Sequence, residues 1–378
     1  MKILTLISTS YPIASDGSEA AGSFVADLVL TLAKHVMVRV VAPGPQTNLE
    51  VVNERVTVYR FSAPNKPLST LKPWNLNDVL WTQRVLRGGM QATHQAAAGS
   101  HHIFALWALP AGEWARRAAK KNNIDYSVWM LGSDIWSLGK IPFLRLFLKT
   151  VICQSKKAYA DGIILAQDAE KISGRTIDFL PSTRAINLCN PGAPHDQAPY
   201  RLLFLGRWHP NKGIDLLLEA LKLLNDDDWQ AIESIEIQGG GPMQALVQNE
   251  VNQLQASGRP VILGSYLAKE AAEQAIVRAD WVLIPSRIES IPVVFSDAMK
   301  LKRPVLAMPV GDLPTLIHNS HCGLLARSVS ANDYALALQT ILKSKTNEFA
   351  IGVNLQAENF DLEKLAVTIL REAMLHDQ

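Results

Sequence analysis

The chain has 378 residues, of which 48% are apolar and 19% are charged, and its formal net charge is +2. This length exceeds what one hydrophobic core usually serves, so we expect two domains, and the composition excludes a mainly disordered protein. The three cysteines form no CxxC pair, which argues against a zinc site or a disulfide framework and favours a reducing cytoplasm.

The charge is unevenly distributed along the chain. Residues 1–196 hold 21 Lys and Arg against 14 Asp and Glu, whereas the remainder holds 16 against 21. We therefore expect the first half to face something negative, such as a phosphorylated acceptor or an anionic membrane surface. The opening MKILTLIS is predicted to be a buried strand, because its apolar run is too short for a signal peptide, and no stretch has the length of a transmembrane helix.

In the first half, short apolar runs alternate with helical patterns such as residues 24–34 and 112–122. This alternation predicts a parallel sheet covered by helices on both faces. The predicted strands are residues 3–8, 36–43, 56–61, 102–107, 126–131 and 162–166.

The turn-rich segment Asn190–Pro194 predicts a linker, after which the same alternation begins again. We place one domain at 1–192 and a second at 193–361. The predicted strands of the second domain are residues 201–206, 232–239, 260–265, 281–286, 304–309 and 323–326. Residues 362–378 contain an amphipathic helix, which either caps the second domain or crosses back to the first.

The strongest local signal is RLLFLGRWHPNKGIDLLLEALKLL at 201–224. A strand ends in Gly206-Arg207, and Lys212 stands just before a helix with apolar residues at helical spacing. Two cations therefore lie at the carboxyl end of a strand and beside a helix N-terminus, where a diphosphate finds both charge and N–H donors. The alternative reading is that both are ordinary loop charges.

A second signal is WVLIPSRIESIPVVFSDAMKLKRPVLAMPVG at 281–311. It predicts a strand, an acidic loop, a helix and a strand, with Glu289 in the loop and Asp297 eight residues later. Pro292 suits the first helical turn. A carboxylate in such a loop accepts hydrogen bonds from sugar hydroxyls, and one farther along the helix reaches a ribose.

Together these segments resemble the retaining glycosyltransferases of family 4. The family pattern is G-R followed by K-G in one strand–helix unit, here Gly206-Arg207 and Lys212-Gly213, and E-x7-E in a later one, here Glu289 and Asp297. Further matching segments are residues 11–33, 106–115, 132–135, 160–167 and 238–243. The resemblance implies the GT-B fold, an α/β arrangement of two Rossmann-like doubly wound domains facing a central cleft. It also implies that the first domain binds the acceptor and the second binds a nucleotide sugar.

The resemblance also implies the roles of the charged residues. Arg207 and Lys212 would neutralise the departing diphosphate, and Glu289 would hold hydroxyls of the donor sugar. The helix that starts after Ser290 and Ile291 would point its N-terminus at the phosphates, and Asp297 would bind the ribose.

Further donor-binding positions follow from the same resemblance. Gly22 would let the backbone approach the donor phosphate, although a plain loop glycine is an equal reading. Gly206 belongs to the strand-end motif, while Gly240 and Pro242 in the QGGGPM turn, together with Tyr266, would flank the base.

The chain departs from the family pattern in three places. The second acidic residue is Asp297 instead of Glu, and leucines, Leu106 and Leu131, stand where the family often has histidines. Asp134 is then the remaining polar group at that strand end and our candidate for an acceptor-side role, with a helix N-cap as the alternative. His101 and His102 begin their strand, so we expect them at the surface.

No spacing of His, Cys, Asp and Glu predicts a metal site, and no cofactor is expected beyond the nucleoside diphosphate sugar itself. Asp226-Asp227-Asp228 could be read as an Asp-x-Asp metal motif, but a solvated turn fits its position better. Neither a GxGxxG nor a GxSxG motif follows a strand, which argues against a dehydrogenase and a hydrolase.

Two segments combine apolar and basic residues. Residues 141–160 contain Arg145 and Lys149 among apolar side chains, which suits either a membrane-surface helix or a buried helix with a solvated basic edge. Trp74 and Trp81 with the nearby Arg84 and Arg87 are equally ambiguous. A cytoplasmic enzyme, peripheral to the inner face of a membrane, is therefore one expectation.

The sequence thus predicts a retaining transfer of a hexose-type unit from a nucleoside diphosphate sugar to a hydroxyl of a glycan or a lipid-linked acceptor, without a metal and in cell-surface polysaccharide assembly. No nucleic acid is expected as a partner. Two alternatives stay open: a sugar-nucleotide epimerase of the same fold, and a weakened subunit that binds the donor without turnover, as Leu106 and Leu131 would allow.

Overall fold

The computed structural model describes residues 1–13, 22–64, 75–188 and 190–375. The chain forms two compact units, the first comprising Met1–Ala185 and Leu362–Gln378 and the second Ile186–Asp361. Each unit is built on its own sheet, and none of the helices in these ranges combines the length and the apolar character that crossing a bilayer requires.

The first unit is built on a sheet with the strand order β3-β4-β2-β1-β5-β6-β7-β8. Its strands are β1 (Ile3–Ile7), β2 (Met37–Gly44), β3 (Asn48–Asn53), β4 (Val56–Ser62), β5 (His102–Leu106), β6 (Asp125–Met130), β7 (Lys157–Ala160) and β8 (Asp178–Phe179). The pairs are parallel except β3 with β4, an edge strand that the sequence analysis did not predict. Its burial pattern is almost wholly exposed, so it carries no apolar alternation to read.

Helices cover the faces of this first sheet. They are α1 (Ser23–Leu32), α2 (Leu76–Ala97), α3 (Glu113–Asn122), α4 (Ser133–Trp136), α5 (Pro142–Gln154) and α6 (Ile163–Ser173). An irregular, kinked turn, Ala108–Gly112, connects β5 to α3.

The strand predicted at 162–166 is wrong, because these residues begin α6. The strand of this region is β7, just before it, and Gly162 in extended conformation separates the two. A short apolar run has the same appearance in a buried strand and in the buried face of a helix, so the periodicity could not decide between them.

The second unit is built on a sheet with the strand order β11-β10-β9-β12-β13-β14, in which every pair is parallel. Its strands are β9 (Tyr200–Arg207), β10 (Ile232–Gly240), β11 (Val261–Leu263), β12 (Trp281–Ile284), β13 (Val305–Ala307) and β14 (Gly323–Leu325). The order changes direction at β9, between β10 and β12, and open parallel sheets bind ligands at the carboxyl ends of strands around such a point.

The helices of the second unit alternate with these strands. They are α7 (Ile214–Lys222), α8 (Asp226–Gln230), α9 (Gln244–Ala256), α10 (Lys269–Arg278), α11 (Val293–Lys300), α12 (Leu313–Ser320), α13 (Ala331–Ile341) and α14 (Ala350–Asn359).

The boundary between the units lies at Ala185, before the predicted position at Gly192. The intervening segment is attached to the second unit by hydrogen bonds. The Glu273 carboxylate accepts from the backbone N–H of Asn187 at 3.0 Å and of Leu188 at 3.2 Å, and the buried Arg303 donates to the carbonyl of Gly192 at 2.9 Å.

The last helix, α15 (Leu362–Glu372), belongs to the first unit and packs against α1. Its apolar stripe, which includes Leu365, Ile369 and Leu370, shares one buried cluster with Val25 and Leu28 of α1. The amphipathic spacing is therefore explained by burial against the first sheet's own helix layer.

Candidate active site

Arg207 ends β9, the strand at which the second sheet changes direction. The register places it beside Gly240 at the end of β10. Its side chain is exposed, and across the described residues it has no hydrogen-bond or ion-pair partner. The guanidinium is therefore available to an anion at the carboxyl edge of the sheet.

The loop after β9 makes a close backbone contact with the loop after β12 at Gly213. This glycine has φ 68, and a Cβ on it would lie 1.8 Å from the Pro285 carbonyl oxygen. The adjoining backbone is paired as well, because the N–H of Arg287 donates to the carbonyl of Asn211 at 2.8 Å. Only glycine permits both the left-handed conformation and this approach.

This approach joins two of the predicted catalytic residues. Lys212 Nζ forms an ion pair with Glu289 Oε1, and Ser286 Oγ donates to the same carboxylate oxygen at 3.1 Å. The Glu289 side chain is largely buried and that of Lys212 is half-buried. The cation predicted to contact phosphate and the carboxylate predicted to contact sugar hydroxyls thus stand side by side, although they are far apart in the sequence.

Both residues border a cavity of about 270 Å³ at the carboxyl ends of β9 and β12. Gly206 lines it from β9, and Ile291 with Val293 and Val294 lines it from the start of α11. Pro292, predicted in the first helical turn, directly precedes α11 as its N-cap residue. Ser290 Oγ is buried nearby and has no hydrogen-bond partner among the described residues. The cavity therefore combines a helix N-terminus and a cation, and the Ser290 hydroxyl, with unused hydrogen-bonding capacity, stands between two of its lining residues in the chain.

Sequence reasoning missed the residues that hold the two loops together. Arg287 forms a two-bond ion pair with Asp215 of α7, both contacts at 2.7 Å, and also donates to the Pro210 carbonyl at 2.8 Å. Burial alone would raise the pKa of Asp215, but the hydrogen bonds and the charge of Arg287 outweigh it and lower that pKa. The acid is thus held ionised as an anchor for the loop that carries Glu289.

A second contact that the sequence did not indicate holds the backbone of the Glu289 loop. Gly311, at φ 56 in the loop after β13, lies so close that a Cβ would stand 2.2 Å from the Glu289 carbonyl oxygen. The backbone N–H of Asp312 donates to the carbonyl of Ser290 at 3.1 Å. The acidic loop is therefore fixed from two neighbouring loops, and only a three-dimensional contact explains either glycine.

The residues predicted to flank the base lie at the same edge of the sheet. Gly240 ends β10 and faces open space, whereas its neighbours Gly239 and Gly241 are pressed against the backbone of Gly206 and Trp208. Pro242 follows in the turn before α9, and Tyr266 stands 68% exposed after β11. None of these three candidates lines the cavity beside Lys212.

Asp297 is placed differently from Glu289. Its carboxylate is buried within α11, with Oδ1 3.7 Å from Lys300 Nζ, and the residue does not line the cavity. Its assignment to the ribose stays a prediction.

The remaining candidates lie in the first unit. Gly22 precedes α1 at φ 87, and a Cβ there would meet Ser10 Oγ at 2.6 Å, so local packing already requires a glycine. Residues 14–21, which belong to the matching segment 11–33, lie outside the described residues.

Asp134 is 1% exposed in the first turn of α4, whose N-cap is Gly132. Its Oδ2 accepts from the N–H of Ala108 at 2.7 Å and its Oδ1 from that of Ile135 at 3.2 Å. Burial raises the pKa of Asp134 to about 6, against these backbone hydrogen bonds. This geometry ties the loops after β5 and β6 together, and an acceptor-side role stays a prediction.

The expectation that His102 lies at the surface is wrong. His102 is 1% exposed, and its Nε2 lies 3.0 Å from Ser127 Oγ of the neighbouring strand. Leu106, at the other end of β5, is fully buried, and Leu131 is partly buried against the same core. Leucines in these positions are thus explained by packing.

The acidic run at 226–228 is a short helix, α8, and not a turn. Asn225 and Asp228 form a capping box, and Asp228 also accepts from Gln339 at 2.7 Å. No group of three or more His, Cys, Asp and Glu positioned to hold a metal occurs within the described ranges. Trp74 and Cys189, singled out in the sequence, lie outside those ranges.

Residues 199–344, which contain the cavity, match the family model described as glycosyl transferases group 1. An uncharacterized glycosyltransferase of Methanocaldococcus jannaschii is 25% identical over 254 residues, which cover 67% of this chain and 68% of that protein. A D-inositol 3-phosphate glycosyltransferase of Nocardioides is 29% identical over 202 residues, covering 50% of this chain and 44% of the relative. These likenesses support the group 1 superfamily and a glycosyltransferase activity.

Among solved structures, Anabaena HepE in complex with UDP superposes with a TM-score of 0.67 at 14% identity, covering 98% of this chain and 99% of that one. This likeness concerns the fold. The prediction of an α/β protein with the GT-B fold is confirmed: the chain has two Rossmann-like units of the kind found in GT-B glycosyltransferases.

Proposed function

We propose that this protein is a retaining, metal-independent glycosyltransferase of family 4, which moves a hexose-type sugar from a nucleoside diphosphate to a hydroxyl of a glycan or a lipid-linked acceptor. The second unit would bind the donor and the first the acceptor. A cytoplasmic role in cell-surface polysaccharide assembly is part of the same proposal.

The observation that carries the proposal is the Lys212–Glu289 ion pair at the border of the cavity. In this pair each charge compensates the other. When a diphosphate enters, Lys212 exchanges the carboxylate for phosphate oxygens, and Glu289 becomes free to accept hydrogen bonds from the sugar. One ligand thus satisfies both residues, provided that it carries a diphosphate and a sugar together.

The transfer then proceeds on one face of the sugar. The bond between the anomeric carbon and the phosphate oxygen breaks, the acceptor oxygen forms the new bond on the same face, and the acceptor proton passes to the departing phosphate. Negative charge grows on the diphosphate during this step, and Arg207, Lys212 and the N-terminus of α11 would stabilise it. These groups supply the positive charge that other enzymes take from a divalent ion.

The names of similar proteins guide the choice of substrates. HepE structures contain UDP and UDP-glucose, so uridine diphosphate sugars are the first donors to test. The inositol phosphate relatives make phosphorylated polyols the first soluble acceptors beside glycans.

The experiment incubates the protein with a panel of nucleotide sugars and acceptors in excess EDTA and follows nucleoside diphosphate release and the anomeric configuration of the product. We expect release that depends on the acceptor and a product with the donor's configuration. An inverted product, or a strict need for manganese or magnesium, would contradict the mechanism. Free sugar or an epimerised nucleotide sugar would indicate an epimerase, and donor binding without release would indicate an inactive subunit.

A further inference from the structure

An unusual surface of the first unit is formed by the starts of α2 and α5. We refer to it as the α2–α5 face and define it by Leu86 of α2 together with Ile141, Phe143 and Leu146 at the start of α5. All four side chains are apolar, and between 43% and 67% of each is exposed. Single exposed leucines are ordinary, but a cluster of large apolar side chains marks an interaction surface.

An apolar groove of about 400 Å³ runs beneath this face. Val85 and Leu86 line one wall, Phe143, Leu144 and Phe147 line the other, and Trp114 lies at its floor. Phe143 and Phe147 pack edge to face at a centroid distance of 5.0 Å, and this contact restricts the rotamers of both rings in that wall of the groove. The groove has the lining and the size to take a hydrocarbon chain.

The exposed charges on the two helices that form the face are all positive. Arg84 and Arg87 on α2, and Arg145 and Lys149 on α5, are exposed, and the Arg84 guanidinium lies over the Trp81 ring at 4.8 Å. Neither residues 79–97 nor residues 138–160 contain an Asp or Glu. Glu113, which reaches the groove, is already paired with Arg116 and Arg117. An anionic occupant is therefore favoured, whereas a second copy of the chain would bring two positive faces together.

We infer that the α2–α5 face docks this protein on an anionic phospholipid bilayer, with Phe143 and Leu146 inserted among the acyl chains and the basic side chains among the headgroups. A surface helix binds membranes in this way when an apolar face is bordered by Lys and Arg. None of these residues belongs to the second unit, where the donor would bind, so the inference is independent of the proposed donor site.

The test measures flotation with vesicles of phosphatidylcholine alone and with vesicles that also contain phosphatidylglycerol. We expect binding to the anionic vesicles at least tenfold tighter than to the neutral ones. Each cation near an anionic surface contributes about fivefold in affinity, so Arg145→Glu with Lys149→Glu should cost about 25-fold or more. Phe143→Ser with Leu146→Ser should cost about tenfold or more.

Matched controls lie in the second unit. Ile351 and Leu355 of α14 are exposed apolar residues with the helical spacing of one turn, and Ile351→Ser with Leu355→Ser should bind vesicles like the wild type. Lys343→Glu with Lys345→Glu makes the same charge change as the basic pair and should also be silent. Circular dichroism shows whether each variant is folded.

Several outcomes would overturn the inference. One is equal binding of the protein to neutral and anionic vesicles. Another is that the variants of the face float with vesicles as the wild type does. A third is that the protein binds no vesicles, while the wild type and the Phe143/Leu146 variant bind a soluble polyanion equally well. Light scattering tests the last outcome. If the wild type is a dimer, the Phe143/Leu146 variant is a monomer and neither binds vesicles, then the face would be assigned to a second copy of the chain. Failure of nucleotide binding would leave the vesicle result unaffected, so the two proposals fail separately.

Discussion

At the scale of single residues, the candidate site depends on charges that compensate each other until a ligand arrives. Lys212 and Glu289 are paired, while Arg207 is exposed at the end of β9. A buried carboxylate without its cation would be costly, so the pair also stabilises the loop that carries Glu289. Removing either partner should therefore have different consequences for the bare nucleotide and for turnover.

The first prediction concerns Lys212→Ala. We expect nucleoside diphosphate affinity to fall tenfold to a hundredfold, because a charge-assisted contact to phosphate is worth about 1.5 to 3 kcal/mol. Calorimetric titration measures the loss. The control is Lys222→Ala, which removes a lysine that is also ion-paired, to Glu250, at the far end of α7. Equal affinity in the Lys212 variant and the wild type would remove this residue from the phosphate site.

The second prediction concerns Glu289→Ala. The bare diphosphate should bind as well as in the wild type, or slightly better since Lys212 is no longer engaged, while kcat should fall a hundredfold or more. The reason is that the carboxylate contacts the sugar, which the bare nucleotide lacks. Glu219→Ala, an exposed change on α7, serves as the control. A large loss of diphosphate affinity would show that Glu289 acts on the nucleotide and would refute the division of roles.

At the scale of elements, the site exists because loops after β9, β12 and β13 are held against one another. Gly213 permits the first contact, Arg287 with Asp215 fixes it, and Gly311 supports the acidic loop. A substitution at one of these positions should alter the shape of the cavity, although the residue itself would not contact a ligand.

The third prediction compares two glycines of the second unit that share a left-handed conformation. Gly258 has φ 73 and open space around it, so Gly258→Ala should cost only the conformational strain of about 1 kcal/mol. Gly213→Ala adds a clash with the Pro285 carbonyl and should cost at least 2 kcal/mol more, together with most of the nucleotide affinity. Urea unfolding and calorimetry check both. Equal stability of the two variants would mean that the loops separate freely.

The sequence predicts an element well when a local apolar pattern determines it. The strands with clear apolar runs, such as β9 and β12, were predicted within one or two residues. The run at 162–166 became a helix because five apolar residues satisfy either period, and β3 was missed because almost all of it is exposed.

The site was predictable to the same degree. A cation or a carboxylate at a strand end is visible in the sequence, so Arg207, Lys212 and Glu289 could be found. The ion pair of Arg287 with Asp215 joins residues on separate strand–helix units, and Gly311 is required by a backbone contact with Glu289. Neither has a local pattern, since both follow from how the loops meet in space.

At the scale of the whole molecule, two buried groups of the first unit give opposite contributions to its pH dependence. The pKa of His102 is lowered to about 4, chiefly by burial and further by Lys156, with Asp125 opposing. The pKa of Asp134 is raised to about 6 by burial. Acidification therefore lowers the stability through His102 and raises it through Asp134, so the two contributions partly cancel in the wild-type profile.

The last prediction separates these contributions with His102→Gln. In the folded protein His102 titrates near 4, below the ordinary value of 6.5, so the unfolded chain binds the proton first. The stability that the neutral imidazole provides is complete above pH 6.5 and is lost as the pH falls toward 4. Between pH 7.5 and 5.0 this loss amounts to about 2 kcal/mol.

Amide hydrogen exchange of peptides covering β5 measures the opening free energy of the first unit without requiring both units to unfold together. The variant should lose about 2 kcal/mol less than the wild type over that interval, because Asp134 contributes equally to both. His318→Gln, an exposed substitution in the second unit, should show the same decrease in the opening free energy of the first unit as the wild type. If His102→Gln and the wild type fall in parallel, then His102 takes up its proton in the folded state, and the buried imidazole must be accommodated as a cation beside Ser127.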